Sequence, residues 1–567
     1  MKRRDFVKTV AMSGVAIAAT DRFASDTIAN LLAQSPKGKV LESKFKGLSD
    51  VALTEAKRLG CTYADIRFTR NTNAGVNASG GNRDAAEADF AAGGGGGGGR
   101  GGGGGGRGGG GGGRGFGAFG GDNAGEGAGT QEAAGFGVRV IHSGVWGFAS
   151  SPIVTEDEIL RITRMASEVA KASAIAKKVD VRLAPVAAYT DYWATPMVKD
   201  PSRIAQTEKQ ALVQKVVDLA AANKEVLTVN ASVQIGHEWK YFASSEGSYI
   251  EQEVYTTTPS FSVTARKNGE TRSRTFTGVP GTGGWEIAEA AGMVEAAERI
   301  VAEAVEFCTA KPVEMGMKDL ILTPSHAMLT IHEIVAHATE LDRIMGYEAN
   351  YAGTSFVKVS DLGKLKYGSK LFNVTADRTI PTGVATIGYD DDGVKTQEWP
   401  IIRDGILVGL QTNRESAHFV GEKESRGCTS ANSWRDYPFL RMPNVHVDAG
   451  PKGSPTPEEM IADTRDGVMI DGRGSYSIDQ QRYNGQFGGN AFWEIKNGKR
   501  TRMVTNVTYN AITTEFWANL DAISGKEHWQ MFGTGGDAKG QPTQTNSISH
   551  GSPWLRIRKI MVGGAFA

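Results

Sequence analysis

Two histidines and a glutamate lie close together in the run Ile-His-Glu-Ile-Val-Ala-His, which spans residues 331–337. Imidazole groups in pairs of this kind bind divalent transition metals, most often zinc. A carboxylate between them can act as a general base on water at the metal. His332, Glu333 and His337 therefore have the side chains that metal-dependent hydrolysis requires.

The spacing of the two histidines does not fit a regular α-helix. The zincin motif H-E-x-x-H separates its histidines by four residues, whereas His332 and His337 are separated by five. At about 100° of rotation per residue, four residues leave two side chains about 40° apart, and five leave them about 140° apart. Either the pair is not a metal site, or the helix widens locally into a π-type turn, which is common at functional sites.

The elements around the motif predict a strand-rich C-terminal domain that spans residues 312–567. An apolar strand at 320–323 precedes the motif, and Pro324 begins a helix that we expect to end near Gly346. A capping box begins one more helix at Thr456. The other predicted elements are strands at 374–377, 385–389, 400–403, 406–408, 491–496 and 500–507.

The preceding half mixes helices and strands, so the predicted fold class is α+β, with an N-terminal domain at 46–311 that ends at Lys311. Predicted helices are 48–59, 155–177, 203–222 and 285–308, and predicted strands are 63–69, 136–142, 145–149, 226–233, 240–243, 249–257 and 260–267. Residues 93–121 are almost all glycine and cannot bury apolar surface, which predicts a disordered surface insertion.

The N-terminus has the form of a twin-arginine export signal. Arg3 and Arg4 precede a short apolar run at 9–19, and Ala-Ile-Ala at 16–18, within this run, could supply a cleavage site. We therefore assign residues 1–35 to an export signal and linker, and expect a periplasmic or other extracytoplasmic location. The alternative is a basic amphipathic helix. The apolar run is too short for a stable membrane span, and we expect none in the mature chain.

The composition argues against two classes of protein. The 63 basic and 63 acidic residues give a formal net charge of zero, so we expect no nucleic-acid partner. Cys61, Cys308 and Cys428 are isolated from one another, so neither a disulfide framework nor a C-x-x-C metal site is indicated. No residues for an organic cofactor are assigned.

Several further runs carry a family resemblance. They are Gly-Thr-Ser-Phe at 353–356, Tyr-Asp-Asp-Asp-Gly at 389–393, Asp-Gly-Ile-Leu-Val-Gly at 404–409, Tyr-Pro-Phe-Leu-Arg-Met at 437–442, Lys-Gly-Gln-Pro at 539–542 and Ser-His-Gly-Ser-Pro at 549–553. With these runs in this order, the chain resembles the TldD/PmbA family of metallopeptidases. H-E-x-x-x-H is the signature of its TldD-type subunits.

The resemblance implies a zinc site with His332 and His337 as ligands and Glu333 as the general base. The family's third ligand is a cysteine in a C-G-K-G-Q-like segment, and this chain has Asp-Ala-Lys-Gly-Gln at 537–541. A carboxylate is a competent zinc ligand, so Asp537 is the predicted replacement. The exchange could preserve activity, change the metal or mark a degenerate site. Asp537 could also be a turn residue. Weaker candidates for the third ligand are His550, Glu340 and Cys428.

The expected function is a zinc-dependent metallopeptidase that hydrolyses peptides or unfolded polypeptides. The resemblance also implies a partner, because TldD-type subunits pair with a PmbA-type subunit that lacks the histidine motif, and a homodimer is equally open. The alternative is a catalytically degenerate peptide-binding or scaffold subunit. A third option is a metal-dependent hydrolase that acts on a non-peptide amide.

Overall fold

The computed structural model of the protein describes residues 24–82 and 131–563. The twin-arginine motif and the glycine-rich run at 93–121 lie outside these described residues. Residues 24–33, which the sequence assigns to a linker, form a helix. Ala24 and Ile28 of this helix are fully buried in the core of the N-terminal half. This part of the segment is therefore packed against the domain that follows it.

Eight strands of the described residues form the N-terminal sheet. Pairing is antiparallel except between Thr190–Ala194 and Tyr249–Lys267. The main path of the sheet runs Val145–Ser151, Gln131–His142, Tyr63–Gly80, Val226–Ser244, Tyr249–Lys267 and Thr190–Ala194, and Glu270–Thr277 and Gly281–Thr282 also pair with Tyr249–Lys267.

The two central strands, Val226–Ser244 and Tyr249–Lys267, are each 19 residues long. The sequence predicts two short strands in each place, because polar residues and Pro259 interrupt the apolar pattern. The two strands pair with each other along nearly their whole length, so backbone hydrogen bonds extend the strands through these positions. The prediction of four short strands is wrong in this respect.

Helices cover one face of the N-terminal sheet. Lys44–Arg58 and Glu156–Ser173 pack at one end of this face, and Gln206–Ala221 and Met293–Phe307 pack at the other. The first of these begins at Lys44, with Ser43 as its N-cap, and not near Ser49 as predicted. The predicted helix at 285–308 is divided into Glu286–Ala290 and Met293–Phe307, because Gly292 has a positive φ of 71°.

Buried ion pairs join the opposite face of the N-terminal sheet to the C-terminal half. Arg139 lies 2.8 Å from Asp65 Oδ2 and 2.9 Å from Asp392 Oδ1. Lys240 Nζ lies 2.6 Å from Asp391 Oδ1. Because charges this deeply buried need partners, these pairs fix the position of the loop around Asp391 against the sheet.

The C-terminal sheet has ten strands among the described residues. Gly316–Leu322 lies inside it, parallel to Asp466–Asp471 and antiparallel to Leu555–Gly563. The sheet therefore buries the strand that leads directly into the histidine motif. Its main path runs Tyr476–Ile478, Asn484–Phe487, Thr508–Ile512, Leu555–Gly563, Gly316–Leu322, Asp466–Asp471, Ala491–Lys496, Lys499–Thr505 and Lys311–Pro312, and Leu520–Ile523 also pairs with Leu555–Gly563.

Smaller sheets complete this half. One contains Ile406–Leu407, Glu398–Arg403, Val374–Asp377 and Asn444–Val447, and another pairs Thr429–Ser430 with Phe439–Leu440. Gln530–Lys539 and Gln544–Ser552 form a two-stranded element, the C-terminal ribbon, which the sequence did not predict. The predicted strand at 385–389 is wrong, because these residues form turns with a single bridge from Tyr389 to Lys395. Short helices lie at Pro324–Ile331, Leu341–Ile344, Pro457–Ala462 and Thr513–Ala518.

The α+β fold class is confirmed, since helices and extensive sheets both occur and the C-terminal half is rich in strands. Across the described ranges, no helix has the length and apolar character needed to span a membrane.

We predict that Arg139→Met lowers the free energy of unfolding by about 3–5 kcal/mol, because Asp65 and Asp392 would lose the cation between them while staying buried. Urea denaturation followed by circular dichroism measures this. The control is Arg502→Met, which removes an arginine that is 46% exposed beside Glu494 and should leave the denaturation midpoint nearly unchanged. Equal shifts in both variants would contradict the prediction.

Candidate metal centre

The helix that carries the two histidines changes its winding at the motif. Pro324–Ile331 is α-helical, His332–Ala336 is a π-helix, and His337–Thr339 is a 3₁₀ turn. The N–H of His337 donates to the carbonyl oxygen of His332, which is the hydrogen bond from i+5 to i that defines a π turn. The predicted widening of the helix is therefore confirmed. The prediction that the helix continues to Gly346 is wrong, because Glu340 has an extended backbone.

The widened turn brings the two imidazoles to the same side of the chain. The ring centroids of His332 and His337 are 4.4 Å apart. A regular α-helix would direct them about 140° apart, as the five-residue spacing requires. The widened turn therefore allows two histidines with this spacing to bind the same metal ion.

Two side chains from other segments hold the widened turn. Gln411 donates from Nε2 to the carbonyl oxygen of Ala336 over 2.6 Å. The hydroxyl of Tyr367 donates to the carbonyl oxygen of Ile334, also over 2.6 Å. Buried carbonyl groups need donors, so these contacts compensate for bonds that a regular helix would have made within itself.

Asp537, on the C-terminal ribbon, completes a group with the two histidines. Its Oδ1 lies 3.4 Å from Nε2 of His332 and 3.4 Å from Nε2 of His337. Its Oδ2 accepts from Nη2 of Arg441 over 2.7 Å. Arg441 therefore leaves Oδ1 as the oxygen that faces the two imidazoles. Among the described residues, the ligand atoms of these histidines and Asp537 all lie within 4.8 Å of one another.

These separations fit a tetrahedral zinc ion better than direct hydrogen bonds. Zinc bonds of about 2.0–2.2 Å place neighbouring tetrahedral ligand atoms about 3.3–3.6 Å apart. A charge-assisted hydrogen bond between an imidazolium and a carboxylate would be about 2.7–2.9 Å long. At 3.4 Å, Asp537 Oδ1 matches the first range for both histidines. The donor set therefore fits zinc.

The environment of His337 sets which of its nitrogens is available. Its Nδ1 lies 2.8 Å from Oε2 of Glu340. Burial alone would raise the pKa of Glu340, but Lys539 and Arg343 outweigh it and hold this pKa well below its usual range. An ionised carboxylate can only accept, so Nδ1 of His337 donates. In the neutral ring, the lone pair is then on Nε2, the atom that faces Asp537.

The protonation states of the other two residues also suit a metal. Burial lowers the pKa of His332, because a buried site disfavours the charged imidazolium. Burial would raise the pKa of Asp537, but the Arg441 guanidinium and the adjacent imidazoles hold it well below its usual range. A neutral imidazole and an ionised carboxylate are the forms that bind metals.

Glu333 lies beside this group and is not a member of it. Its Oε1 is 4.0 Å from Nε2 of His332. Its Oε2 is 3.3 Å from Nη1 of Arg482, which comes from the turn between Tyr476–Ile478 and Asn484–Phe487. The carboxylate thus lies between a metal-facing imidazole nitrogen and a guanidinium. From this position it can reach water at the metal and leave the ligand positions free.

The weaker candidates for the third ligand lie outside the group. Glu340 uses its oxygens on His337, Arg343 and Lys539. His550 contacts Nδ1 of His332, on the far side of that ring. Cys428 is buried directly before the strand Thr429–Ser430, and burial raises the pKa of its thiol to about 12. The remaining histidines of the described residues, including the buried His326, are not in the group.

Three residues that contact the candidate site were assigned no role from the sequence. Arg441 and Lys539 lie inside the runs at 437–442 and 539–542 that carry the family resemblance. The sequence therefore pointed to these positions but did not show which residues they contact. Arg482 lies in a polar turn with no motif around it. It has a positive φ of 61°, a strained conformation that only the structure shows.

Three family models match the chain and together cover well over half of it. Residues 316–564 match the PmbA/TldA metallopeptidase C-terminal domain, residues 199–309 match the central domain, and residues 122–175 match domain 1 of the same family. The C-terminal match contains His332, Glu333, His337 and Asp537.

Individual proteins are also similar to this chain in sequence or in fold. A protein from Methanothermobacter thermautotrophicus named Metalloprotease is 29% identical over 434 residues, which are 76% of this chain and 89% of the relative. A Saccharolobus solfataricus protein named Zinc metalloprotease TldD homolog is 21% identical over 76% of this chain and 90% of its own length. The crystal structure of TldE from Thermococcus kodakarensis aligns with a TM-score of 0.62 at 15% identity, over 90% of this chain and 100% of that one, and shares the fold.

We predict that Asp537→Ala weakens zinc binding at least tenfold, because the site would lose the carboxylate oxygen that faces Nε2 of both histidines, and Arg441 would face the metal uncompensated. Titration of the metal-free protein with zinc against a chelator of known affinity measures this. Cys428→Ser is the matched control and should bind zinc like the parent. A normal zinc affinity in Asp537→Ala would remove this residue from the ligand set.

Proposed function

The chain belongs to the PmbA/TldD family of metallopeptidases, and on that basis we propose that it is a TldD-type, zinc-dependent peptidase. The observation that supports this most directly is the convergence of Nε2 of His332, Nε2 of His337 and Oδ1 of Asp537, with the carboxylate of Glu333 beside them. Two imidazoles and one carboxylate form a familiar catalytic zinc set that leaves a fourth position for water or substrate.

In the proposed reaction, Glu333 transfers protons. Zinc held by the three residues would supply Lewis acidity and lower the pKa of water towards neutrality. Glu333 accepts a proton from the attacking water while the new carbon–oxygen bond forms at the scissile carbonyl. The same carboxyl group then donates this proton to the leaving nitrogen as the carbon–nitrogen bond breaks. One water is consumed, and a carboxylic acid and an amine are released.

The burial of the site favours extended substrates over folded proteins. His332, Glu333, His337 and Asp537 expose between 3% and 7% of their surface in the described structure. A folded protein surface cannot bring a backbone carbonyl to atoms at that depth, whereas a short peptide or an unfolded segment can. The names of the relatives as metalloproteases support hydrolysis of peptide bonds.

The alternative function is a catalytically degenerate peptide-binding or scaffold subunit. The feature that favours it is Asp537, which stands where the family resemblance implies a cysteine. The geometry of Asp537 supports the enzyme instead, because Arg441 orients one carboxylate oxygen towards both histidines. Measurable zinc-dependent peptide hydrolysis would exclude the degenerate subunit.

The proposed assembly contains this chain with a PmbA-type partner subunit or with a second copy of itself, and the shared fold with TldE supports it.

The proposal that the protein is exported depends on Arg3 and Arg4 and the apolar run after them. Replacing both arginines with lysine should retain the protein in the cytoplasm, as cell fractionation would show. Unchanged fractionation would remove the twin-arginine assignment.

We predict that Glu333→Gln lowers kcat at least a hundredfold and leaves zinc binding near that of the parent, because the amide cannot accept the proton and Glu333 is not a ligand. Hydrolysis of a set of unstructured fluorogenic peptides measures kcat, and atomic absorption measures zinc. Glu348→Gln is the matched control, since this carboxyl group is buried but accepts from the backbone of Gly540. Activity retained in Glu333→Gln would exclude this residue as the base.

A further inference from the structure

His550 lies on the C-terminal ribbon strand Gln544–Ser552 and is fully buried. Its Nδ1 is 2.9 Å from the carbonyl oxygen of Val445. Its Nε2 is 2.9 Å from Nδ1 of His332. The ring therefore connects a backbone carbonyl to the side of His332 that faces away from Asp537.

The direction of these hydrogen bonds follows from the chemistry of their ends. A carbonyl oxygen can only accept, so Nδ1 of His550 carries a hydrogen. A neutral imidazole with hydrogen on Nδ1 has its lone pair on Nε2, and this nitrogen then accepts from Nδ1 of His332. His332 in turn keeps its own lone pair on Nε2, the atom 3.4 Å from Asp537.

We propose that His550 is a positioning residue that fixes the tautomer and ring orientation of His332 through the chain Val445–His550–His332. This inference rests on the proposed zinc site. The two metal-facing histidines are thus held in different ways. Glu340 orients His337 with a charged acceptor, and His550 orients His332 with a neutral one. A neutral acceptor orients the ring without adding another negative charge beside Asp537.

The test uses zinc alone as the probe and does not depend on a substrate. His550→Leu removes the acceptor and should weaken zinc binding about 10- to 100-fold, the usual effect of losing a partner of a metal-binding histidine. His550→Gln offers a side-chain oxygen to Nδ1 of His332 and should restore much of the affinity. Cobalt substitution should show an altered visible spectrum in His550→Leu and a near-parental spectrum in His550→Gln.

His326→Leu is the matched control. His326 is also fully buried, lies on the helix that leads into the motif, and makes two contacts of 2.9 Å, with the carbonyl of Gly472 and the hydroxyl of Tyr509. Neither of these contacts involves His332 or His337. His326→Leu should lower stability and leave the zinc affinity of the folded protein unchanged.

Each result decides the inference. Parental zinc affinity in His550→Leu, or an equal loss in His550→Leu and His550→Gln, would overturn it while the zinc site stands. A wild-type protein that binds no zinc would overturn the proposed function and this inference together. Should His550→Leu fail to fold, ¹⁵N spectra of histidine-labelled wild-type protein without metal supply the test. They should show hydrogen on Nδ1 of His332, and hydrogen on its Nε2 would contradict the inference.

Discussion

The hydrogen bond from the N–H of His337 to the carbonyl of His332 is the constraint on which the site depends. It widens one helical turn and turns two imidazoles, otherwise directed apart, towards a common point. The widened turn exposes carbonyl groups that need donors from outside the helix, and Tyr367 and Gln411 supply them. The geometry of the motif is therefore a property of the folded C-terminal half and not of the helix alone.

A second constraint is that three carboxylates beside the two histidines each have a cationic partner. Arg441 pairs with Asp537, Arg482 with Glu333, and Lys539 with Glu340. Because buried charges need partners, Arg441 and Lys539 hold the pKa values of Asp537 and Glu340 well below their usual range although both groups are buried. The cations also orient the carboxylates. In Asp537 the oxygen that is not bound to Arg441 faces both histidines, and in Glu333 the oxygen that is not bound to Arg482 lies 4.0 Å from Nε2 of His332.

The sequence predicted the parts of the site that follow from local spacing. The five-residue separation of His332 and His337 required either a widened turn or no site, and the π turn is present. Asp537 was reached through resemblance, and its convergence with both histidines was not readable from its Gly-rich surroundings. The C-terminal ribbon was missed because its strands are stabilised by pairing with each other and not by an apolar pattern of their own. The break at Glu340 was missed because the backbone around it pairs with Gln411, a residue distant along the chain.

Anomalous diffraction at the zinc absorption edge, from crystals of the protein grown with zinc, tests the central claim most directly. One peak should lie within about 2.0–2.2 Å of Nε2 of His332, Nε2 of His337 and Oδ1 of Asp537 together. A peak bound to the histidines but not to Asp537 would contradict the assigned ligand set. The absence of any peak between these three residues, in crystals that contain zinc, would contradict the metal centre itself.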